Sequence, residues 1–279
     1  MSTRIATNST AYGAYLALSN NQDMMGQSIQ KLSTGFRINR AADDAAGAAI
    51  ADELQATGQS LQAAQRNASQ ANSVLQIADG AVNTISSILD RMKELATEAA
   101  SDSSGTTGRA NLDAEYQQLV QEIDQISQTT QYQGSKLLDG SYSGTFLVSS
   151  SGQYATNDTI TLSGAGLNMA SATLLGAAAG NLTTLANAQG ELTKIDTAIT
   201  NVGTAIGTIG AAESRIQYAT TNVASTFQNV QSAQSVIKDT DMAYEMTQFT
   251  KYQILTQAST AMLAQANQAP QSILKLLQG

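Results

Sequence analysis

Seven β-branched residues recur at steps of seven in the last third of this chain, and this row restricts the fold more than any other feature. The row consists of Ile195, Val202, Ile209, Ile216, Val223, Val230 and Ile237. A second row, three positions further on, is mostly alanine and runs from Ala198 to Ala233. Both rows fall on one side of an α-helix, and large residues beside small ones allow close packing. The spacing therefore predicts a long helix over 191–237 in a bundle or coiled coil.

The first half of the chain repeats this arrangement. A row of seven-residue steps from Leu54 to Ala96 is accompanied by a second row from Ala64 to Ala99, which predicts a helix over 43–100. A cluster of Gly, Ser and Thr at 101–108 ends this helix. Apolar residues at steps of four and three then predict a second helix that ends near Thr130. The fold class is therefore mainly α, a long antiparallel helical rod or coiled-coil bundle.

The period changes from seven to two between these halves. Residues Thr145–Ser149 and Thr159–Leu162 predict two short strands, which places one small β-hairpin near 136–163. Residues 164–190 are rich in Gly, Ala, Ser and Thr without a clear period. We expect them to form a short variable connection on the surface. A last helix is predicted to begin at about Met242.

The composition excludes several classes of function. The chain has no His, Cys or Trp, and its formal net charge is -8. Without His or Cys, the common nucleophilic triads, ordinary zinc and copper sites and disulfides are excluded. We therefore expect a protein that is not an enzyme and has no metal and no cofactor. The negative charge opposes binding to nucleic acid and to anionic membranes.

Two short motifs each allow two interpretations. The adjacent Asp43 and Asp44 form either a metal pair or the charged first turn of a helix. Gly203 and Gly207 allow either the close approach of another helix or local flexibility.

Both ends of the chain nearly lack charge. No charged residue lies between Arg4 and Asp23, and only Lys275 follows Lys251. Polar residues interrupt every apolar run well short of the roughly 18 residues that a membrane-spanning helix needs. Because these ends are neither charged nor apolar throughout, we expect other protein to cover them. The candidate subunit-assembly residues are Leu18, Met25, Leu32, Leu255, Met262, Leu263, Ile273, Leu274 and Leu277.

The cost of ordering these ends points to association. Fixing one residue costs roughly 1–2 kcal/mol of backbone entropy, and full burial of a leucine returns about 1.5–3 kcal/mol. A helix with one apolar side recovers the cost only where that side is buried. We therefore expect both ends to be largely disordered in the free chain and to fold when copies associate.

Five segments resemble conserved regions of bacterial flagellin. The segments similar to its N-terminal region are Leu32–Gly47, Leu89–Ala99 and Glu122–Ser127. The segments similar to its C-terminal region are Ser235–Met246 and Leu263–Leu277. Two ordered sets of motifs at opposite ends make the chain similar to flagellin over most of its length.

The resemblance implies a structural subunit that assembles with itself into a helical tube, the filament of the bacterial flagellum, which acts as a propeller for motility. It implies an inner terminal-helix domain formed by 1–42 and 238–279, and a helical rod domain formed by 43–237. It also implies secretion by flagellar type III export to an extracellular location. The implied partners are an export chaperone, the hook-associated junction protein and the cap protein. The large variable outer domains of longer flagellins are missing here.

The resemblance also carries over two kinds of site. Arg91, Leu95 and Glu115 match family residues that the flagellin receptor of animal innate immunity contacts; alternatively, Arg91 and Glu115 form an ordinary ion pair between helices. The candidate positions for O-linked sugars, which otherwise form a plain polar turn, are Ser149, Ser150, Ser151 and Thr156.

Two other functions stay open on the sequence alone. One is a hook–filament junction protein, which shares the N-terminal pattern, although the run Leu263–Gln268 favours flagellin. The other is a secreted adhesin or coiled-coil effector that does not polymerise.

Overall fold

A computed structural model of the chain describes residues 7–103, 105–149, 159–163, 167–176 and 180–278. The helices among these residues are α1 (Ser9–Thr34), α2 (Ala45–Ala99), α3 (Thr106–Thr129), α4 (Ser171–Leu174), α5 (Leu185–Lys238) and α6 (Met242–Gln278). The strands are β1 (Gln131–Tyr132), β2 (Ser135–Lys136), β3 (Ser143–Leu147) and β4 (Thr159–Ser163). The predicted mainly α class is confirmed.

The chain divides into two compact units. The first, called the terminal unit, consists of Met1–Ala56 and Asn229–Gly279, and the second, called the central unit, consists of Thr57–Gln228. Helices α2 and α5 therefore contribute residues to both units. The domain boundaries that we predict from the sequence lie instead between residues 42 and 43 and between residues 237 and 238. The roles of these domains in a filament stay a prediction.

The rows of seven-residue steps form the core of the central unit. Both α2 rows are buried from Leu61 to Ala99, and the β-branched row of α5 is buried from Ile195 to Val223. Tyr116 of α3 packs into the same core. Because full burial of each large apolar side chain contributes about 1.5–3 kcal/mol, the shared apolar sides stabilise these long helices.

The helix limits differ from the prediction at two points. Helix α3 begins at Thr106, so the last residues of the cluster at 101–108 belong to its first turn. The Arg109 guanidinium donates hydrogen bonds to the carbonyl oxygens of Ala99 at 2.9 Å and Ser101 at 3.0 Å, which ties the turn together. Helix α5 begins at Leu185, before the predicted start at 191, because its first turns also cover the core.

The predicted hairpin is present, with its first strand displaced. β3 and β4 are antiparallel and Leu147 lies opposite Thr159, so Val148 and Ser149 follow the strand. A second, shorter hairpin of β1 and β2 was not predicted. Its two turn residues both have positive φ, as tight two-residue turns require, and the glycine among them is the sequence signal for it.

The prediction of a surface connection at 164–190 is wrong for the large apolar residues among its described positions. Five large apolar side chains of this segment are buried in the core of the central unit: Leu167, Met169, Leu174, Leu175 and Leu182. They stand at irregular distances among small residues, so no period indicates their burial. A period arises only where a regular helix or strand repeats one direction, and Leu167, Met169, Leu175 and Leu182 lie outside the helices and strands.

Two carboxylates of α3 hold this segment in place. Asp124 accepts hydrogen bonds from the backbone N–H and the hydroxyl of Ser171, both at 2.8 Å. Asp113 accepts one from the backbone N–H of Leu182 at 2.8 Å. The carboxylates thus satisfy backbone donors that no ladder of regular structure satisfies.

A buried polar cluster joins α3 to the beginning of α5. The Tyr116 hydroxyl donates to Glu191 Oε2 at 2.8 Å, and Lys194 Nζ lies 2.7 Å from Glu191 Oε1. A Cβ at Gly180 would overlap the Glu191 carboxylate, so any other residue at this position would displace that carboxylate. Burial, the hydrogen bond to Glu191 and the negative charge of that group together raise the pKa of the Tyr116 phenol.

This raised pKa predicts a loss of stability in alkali. The tyrosine pKa of an unfolded chain is about 10, so above that pH the unfolded chain loses a proton that folded Tyr116 keeps. The free energy of unfolding then falls by about 1.4 kcal/mol per pH unit. The Tyr116→Phe variant has no phenolic proton at this position, so its stability lacks this dependence on pH. We expect the stability advantage of the unsubstituted chain over this variant to shrink by about 1.4 kcal/mol between pH 9 and 11.

Urea unfolding at pH 9, 10 and 11, followed by circular dichroism, measures this difference. Tyr218→Phe is the matched control, because Tyr218 is exposed in the same unit. A difference between the unsubstituted chain and Tyr116→Phe that stays constant over this range would contradict the prediction.

Candidate assembly surface

Helices α1 and α6 pair in antiparallel directions in the terminal unit. The Asn8 side-chain amide donates to the carbonyl of Ala266 at 2.8 Å, and that of Asn21 donates to the Ser259 hydroxyl at 3.0 Å. The side chains covered by this pairing, called the inner face, are Ala11, Ala14, Leu18, Asn21, Met25, Ser28 and Leu32 of α1, and Glu245, Phe249, Tyr252, Thr256, Ser259, Leu263 and Ala266 of α6. Because many of them are small or polar, the pairing alone buries little apolar surface.

Backbone hydrogen bonds join the segment that follows α1 to the segment between α5 and α6. Gly35 has a φ of 76°, and its N–H caps α1 on the carbonyl of Lys31. Its own carbonyl accepts from the N–H of Thr240 at 2.9 Å, and the N–H of Arg37 donates to the carbonyl of Lys238 at 2.7 Å. The positive φ favours glycine at 35, and these bonds fix the register of the helix pair.

Asp43 and Asp44 both precede the first turn of α2, so the predicted charged first turn is wrong. Asp44 accepts a hydrogen bond from the N–H of Gly47 at 2.9 Å and caps the helix. Asp43 accepts from the N–H groups of Asn39 and Arg40, both at 3.0 Å, and these two bonds lower the pKa of Asp43. Within the described ranges, no three His, Cys, Asp or Glu residues are grouped so as to hold a metal ion.

The sides of α1 and α6 that the pairing leaves uncovered carry large apolar side chains. These residues, called the outer surface, are Tyr12, Tyr15, Leu16, Met24, Ile29, Met242, Tyr244, Met246, Ile254, Leu255 and Met262. Tyr12 is 65% exposed and Met262 is 62% exposed. The two helices contain only five charged residues, namely Asp23, Lys31, Glu245, Lys251 and Lys275. Exposed apolar area of this extent marks a surface that another molecule covers.

The predicted assembly residues fall into three groups. Leu18, Met25, Leu32 and Leu263 lie half-buried on the inner face. Leu255 and Met262 belong to the outer surface. The side chains of Ile273, Leu274 and Leu277 lie outside the described residues. The structure adds Tyr12, Tyr15, Leu16 and Ile254, which stand off the seven-residue rows; the charge-free runs around them are the sequence signal for such a surface.

Comparison with known proteins identifies the family. The profile of the bacterial flagellin N-terminal helical region matches residues 5–143, and that of the bacterial flagellin C-terminal helical region matches residues 192–277. The chain belongs to the bacterial flagellin family. It is a structural subunit of the bacterial flagellar filament, as the sequence motifs predict.

Relatives of similar length support this assignment. A flagellin of Halalkalibacterium halodurans is 38% identical over 272 residues, which cover 97% of this chain and 98% of that protein. A flagellin of Bacillus subtilis is 34% identical, with 98% and 99% covered. The crystal structure of Bacillus cereus flagellin matches with a TM-score of 0.50 and 34% identity, over 57% of this chain and 88% of that one.

The three residues of this flagellin that match receptor contacts of the family lie on two neighbouring helices: Arg91 and Leu95 on α2, and Glu115 on α3. Arg91 lies 2.8 Å from Glu115 and 3.0 Å from Glu94. The hydrogen bonds to Glu115 and then Glu94 raise the pKa of Arg91. The predicted interhelical ion pair is thus present, and about half of the Arg91 side chain stays exposed. Leu95 is only 1% exposed and packs into the core.

The remaining sequence candidates of this flagellin have the following positions. Ser149 is half-buried after β3, whereas Ser150, Ser151 and Thr156 lie outside the described residues. A Cβ at Gly203 or Gly207 would meet no other atom within 4 Å, so no described helix packs against the side of α5 that these two glycines face. None of the helices in the described ranges combines the length and the apolar character needed to cross a bilayer.

Proposed function

We propose that this flagellin polymerises through the outer surface of the α1/α6 pair. The observation that carries the proposal is the set of exposed tyrosine, leucine, isoleucine and methionine side chains on two helices with very few charges. Burial of such side chains between copies stabilises an assembly by about 25 cal/mol per Å² of apolar surface removed from water. Membership of the flagellin family provides the partner, which is a further copy of the same chain.

The test is the elongation of filament seeds by concentrated subunits, followed by sedimentation and negative-stain electron microscopy. We expect the seeds to lengthen and the sedimented fraction to rise above a critical subunit concentration. Seeds that do not grow at any concentration would favour the alternative of a secreted adhesin or effector that does not polymerise.

The remaining parts of the proposal follow from polymerisation outside the cell. The subunit is exported by the flagellar type III apparatus, with a cytoplasmic chaperone bound to its C-terminal segment. Outside the cell it joins the hook-associated junction protein, further copies of itself and the cap protein. The protein is a building block and not an enzyme.

We also propose that the exposed part of Arg91, together with Glu115, forms a contact for an animal innate immune receptor. Leu95 then acts by packing α2, since it is buried. We expect Arg91→Ala to reduce receptor signalling by monomeric subunits about tenfold or more, because interface arginines are frequent hot spots. Arg66→Ala, on an exposed part of the same helix, is the matched control. Unchanged signalling by Arg91→Ala would rule this contact out.

A further inference from the structure

Six methionines of this chain are either exposed or buried, and Met25 is half-buried on the inner face. The chain has eight, and Met24, Met242, Met246 and Met262 are exposed, all of them on the outer surface. Met92 and Met169, which belong to the central unit, are buried. Oxidation of a thioether requires access of the oxidant to the sulfur, so the exposed group reacts first.

We propose that Met246 and Met262 are oxidation sites that control assembly: peroxide converts their thioethers to sulfoxides, and the oxidised subunit no longer polymerises. This inference rests on the proposed function, since it places both side chains in the contact between copies. The two residues have the largest exposed fractions among the four exposed methionines, 50% and 62%.

The reaction balances with hydrogen peroxide as the only co-reactant. The methionine sulfur attacks one peroxide oxygen, an S–O bond forms, and the O–O bond breaks. The sulfur loses two electrons, and the peroxide is reduced to one molecule of water. The products are therefore methionine sulfoxide and water, and no catalytic residue is required.

The surroundings of Met246 give the oxidant access. Its side chain lines a hollow of about 420 Å³ on α6, together with Thr247, Thr250, Lys251 and Ile254. A peroxide molecule is far smaller than this hollow. In the filament the same hollow would be covered by a neighbouring copy, so assembled subunits should be protected.

The sulfoxide opposes burial because it replaces an apolar group by a strongly polar one. An oxygen acceptor that loses water without gaining a donor disfavours the buried state. We expect the critical concentration for elongation to rise about tenfold or more after oxidation. The change should be reversible, because methionine sulfoxide reductases restore the thioether.

The experiment treats unassembled subunits with hydrogen peroxide, removes the oxidant and measures the elongation of seeds. In a background that already carries Met24→Leu/Met242→Leu, so that no other exposed outer-surface methionine is oxidised, the further change Met246→Leu/Met262→Leu removes both sulfurs while nearly keeping volume and apolarity, and we expect this variant to elongate equally well before and after treatment. Met92→Leu/Met169→Leu is the matched control and should lose elongation as the unsubstituted chain does. Peptide mass mapping gives the sulfoxide fraction at each methionine.

Three results would overturn the inference. The first is normal elongation by unsubstituted subunits in which mapping shows both sulfoxides. The second is an equal loss when Met246→Leu/Met262→Leu is added to that background, and the third is no recovery after treatment with the reductases. Failure of untreated, unsubstituted subunits to elongate seeds would instead contradict the proposed function.

Discussion

Leu16→Asp should give a subunit that folds normally but does not elongate filament seeds. Leu16 is 50% exposed on the outer surface, so the substitution disturbs no packing within the chain. If neighbouring copies cover this side chain, they must bury a carboxylate without a partner. No basic residue lies between Arg4 and Lys31 of the sequence or between Lys251 and Lys275. An uncompensated buried charge costs about 3–5 kcal/mol, which corresponds to a critical concentration raised roughly 100-fold to several thousand-fold.

Sedimentation over a series of subunit concentrations measures this change. Gln118→Asp, at an exposed position of α3, adds the same charge to the central unit and is the matched control. Thermal unfolding of both variants should remain close to that of the unsubstituted chain. If Leu16→Asp subunits elongate seeds at the usual critical concentration, the outer surface is not buried in the filament.

The long helices were predictable because their periodicity is sustained. The rows that begin at Leu54 and Ile195 each repeat over six steps of seven residues, about twelve helical turns. A period of seven that is sustained this long indicates a helix with one apolar side. The hairpin of β3 and β4 was predicted from two runs rich in β-branched and aromatic residues. The limits of its first strand were predicted wrongly. Alternation of apolar and polar residues indicates on which face of the sheet each side chain lies, but it does not indicate at which residue the strand pairing ends.

The packed segment before α5 was not predictable in this way. Leu167 and Leu182 are buried singly, and what holds them is contact with residues far away in sequence. The same applies to the buried cluster of Tyr116 and Glu191, which are 75 residues apart. A sequence pattern records local geometry, so a hydrogen bond between distant positions leaves no period.

The assembly surface was predictable only in part. The absence of charge at both ends predicted that other protein covers them, and the structure indeed shows exposed apolar side chains there. The division into an inner face and an outer surface depends on which side of α1 meets α6. Polar contacts such as Asn21 with Ser259 define that side, whereas the larger apolar residue Leu16 points away from it.

Leu89→Ala should destabilise the central unit strongly, whereas Leu54→Ala should have a small effect, although both belong to the same row of seven-residue steps. Leu89 is fully buried in the core, and Leu54 is half-buried in the terminal unit. Truncation of a fully buried leucine removes its burial and leaves a cavity that rigid neighbours fill only in part, which costs about 2–5 kcal/mol. For Leu54 we expect a loss of about 1 kcal/mol, since only part of its surface leaves water.

Urea unfolding of both variants, followed by circular dichroism, gives the two losses in free energy. Ile77→Ala is an additional control, because Ile77 lies on α2 between them and is 41% exposed. Equal losses for Leu89→Ala and Leu54→Ala would mean that the row alone decides stability. We expect the two losses in unfolding free energy to differ because the two positions are covered to different extents. The period of seven directs side chains to one side of α2, but the energy arises only where α3 and α5 cover that side, and this covering is complete at Leu89 and incomplete at Leu54.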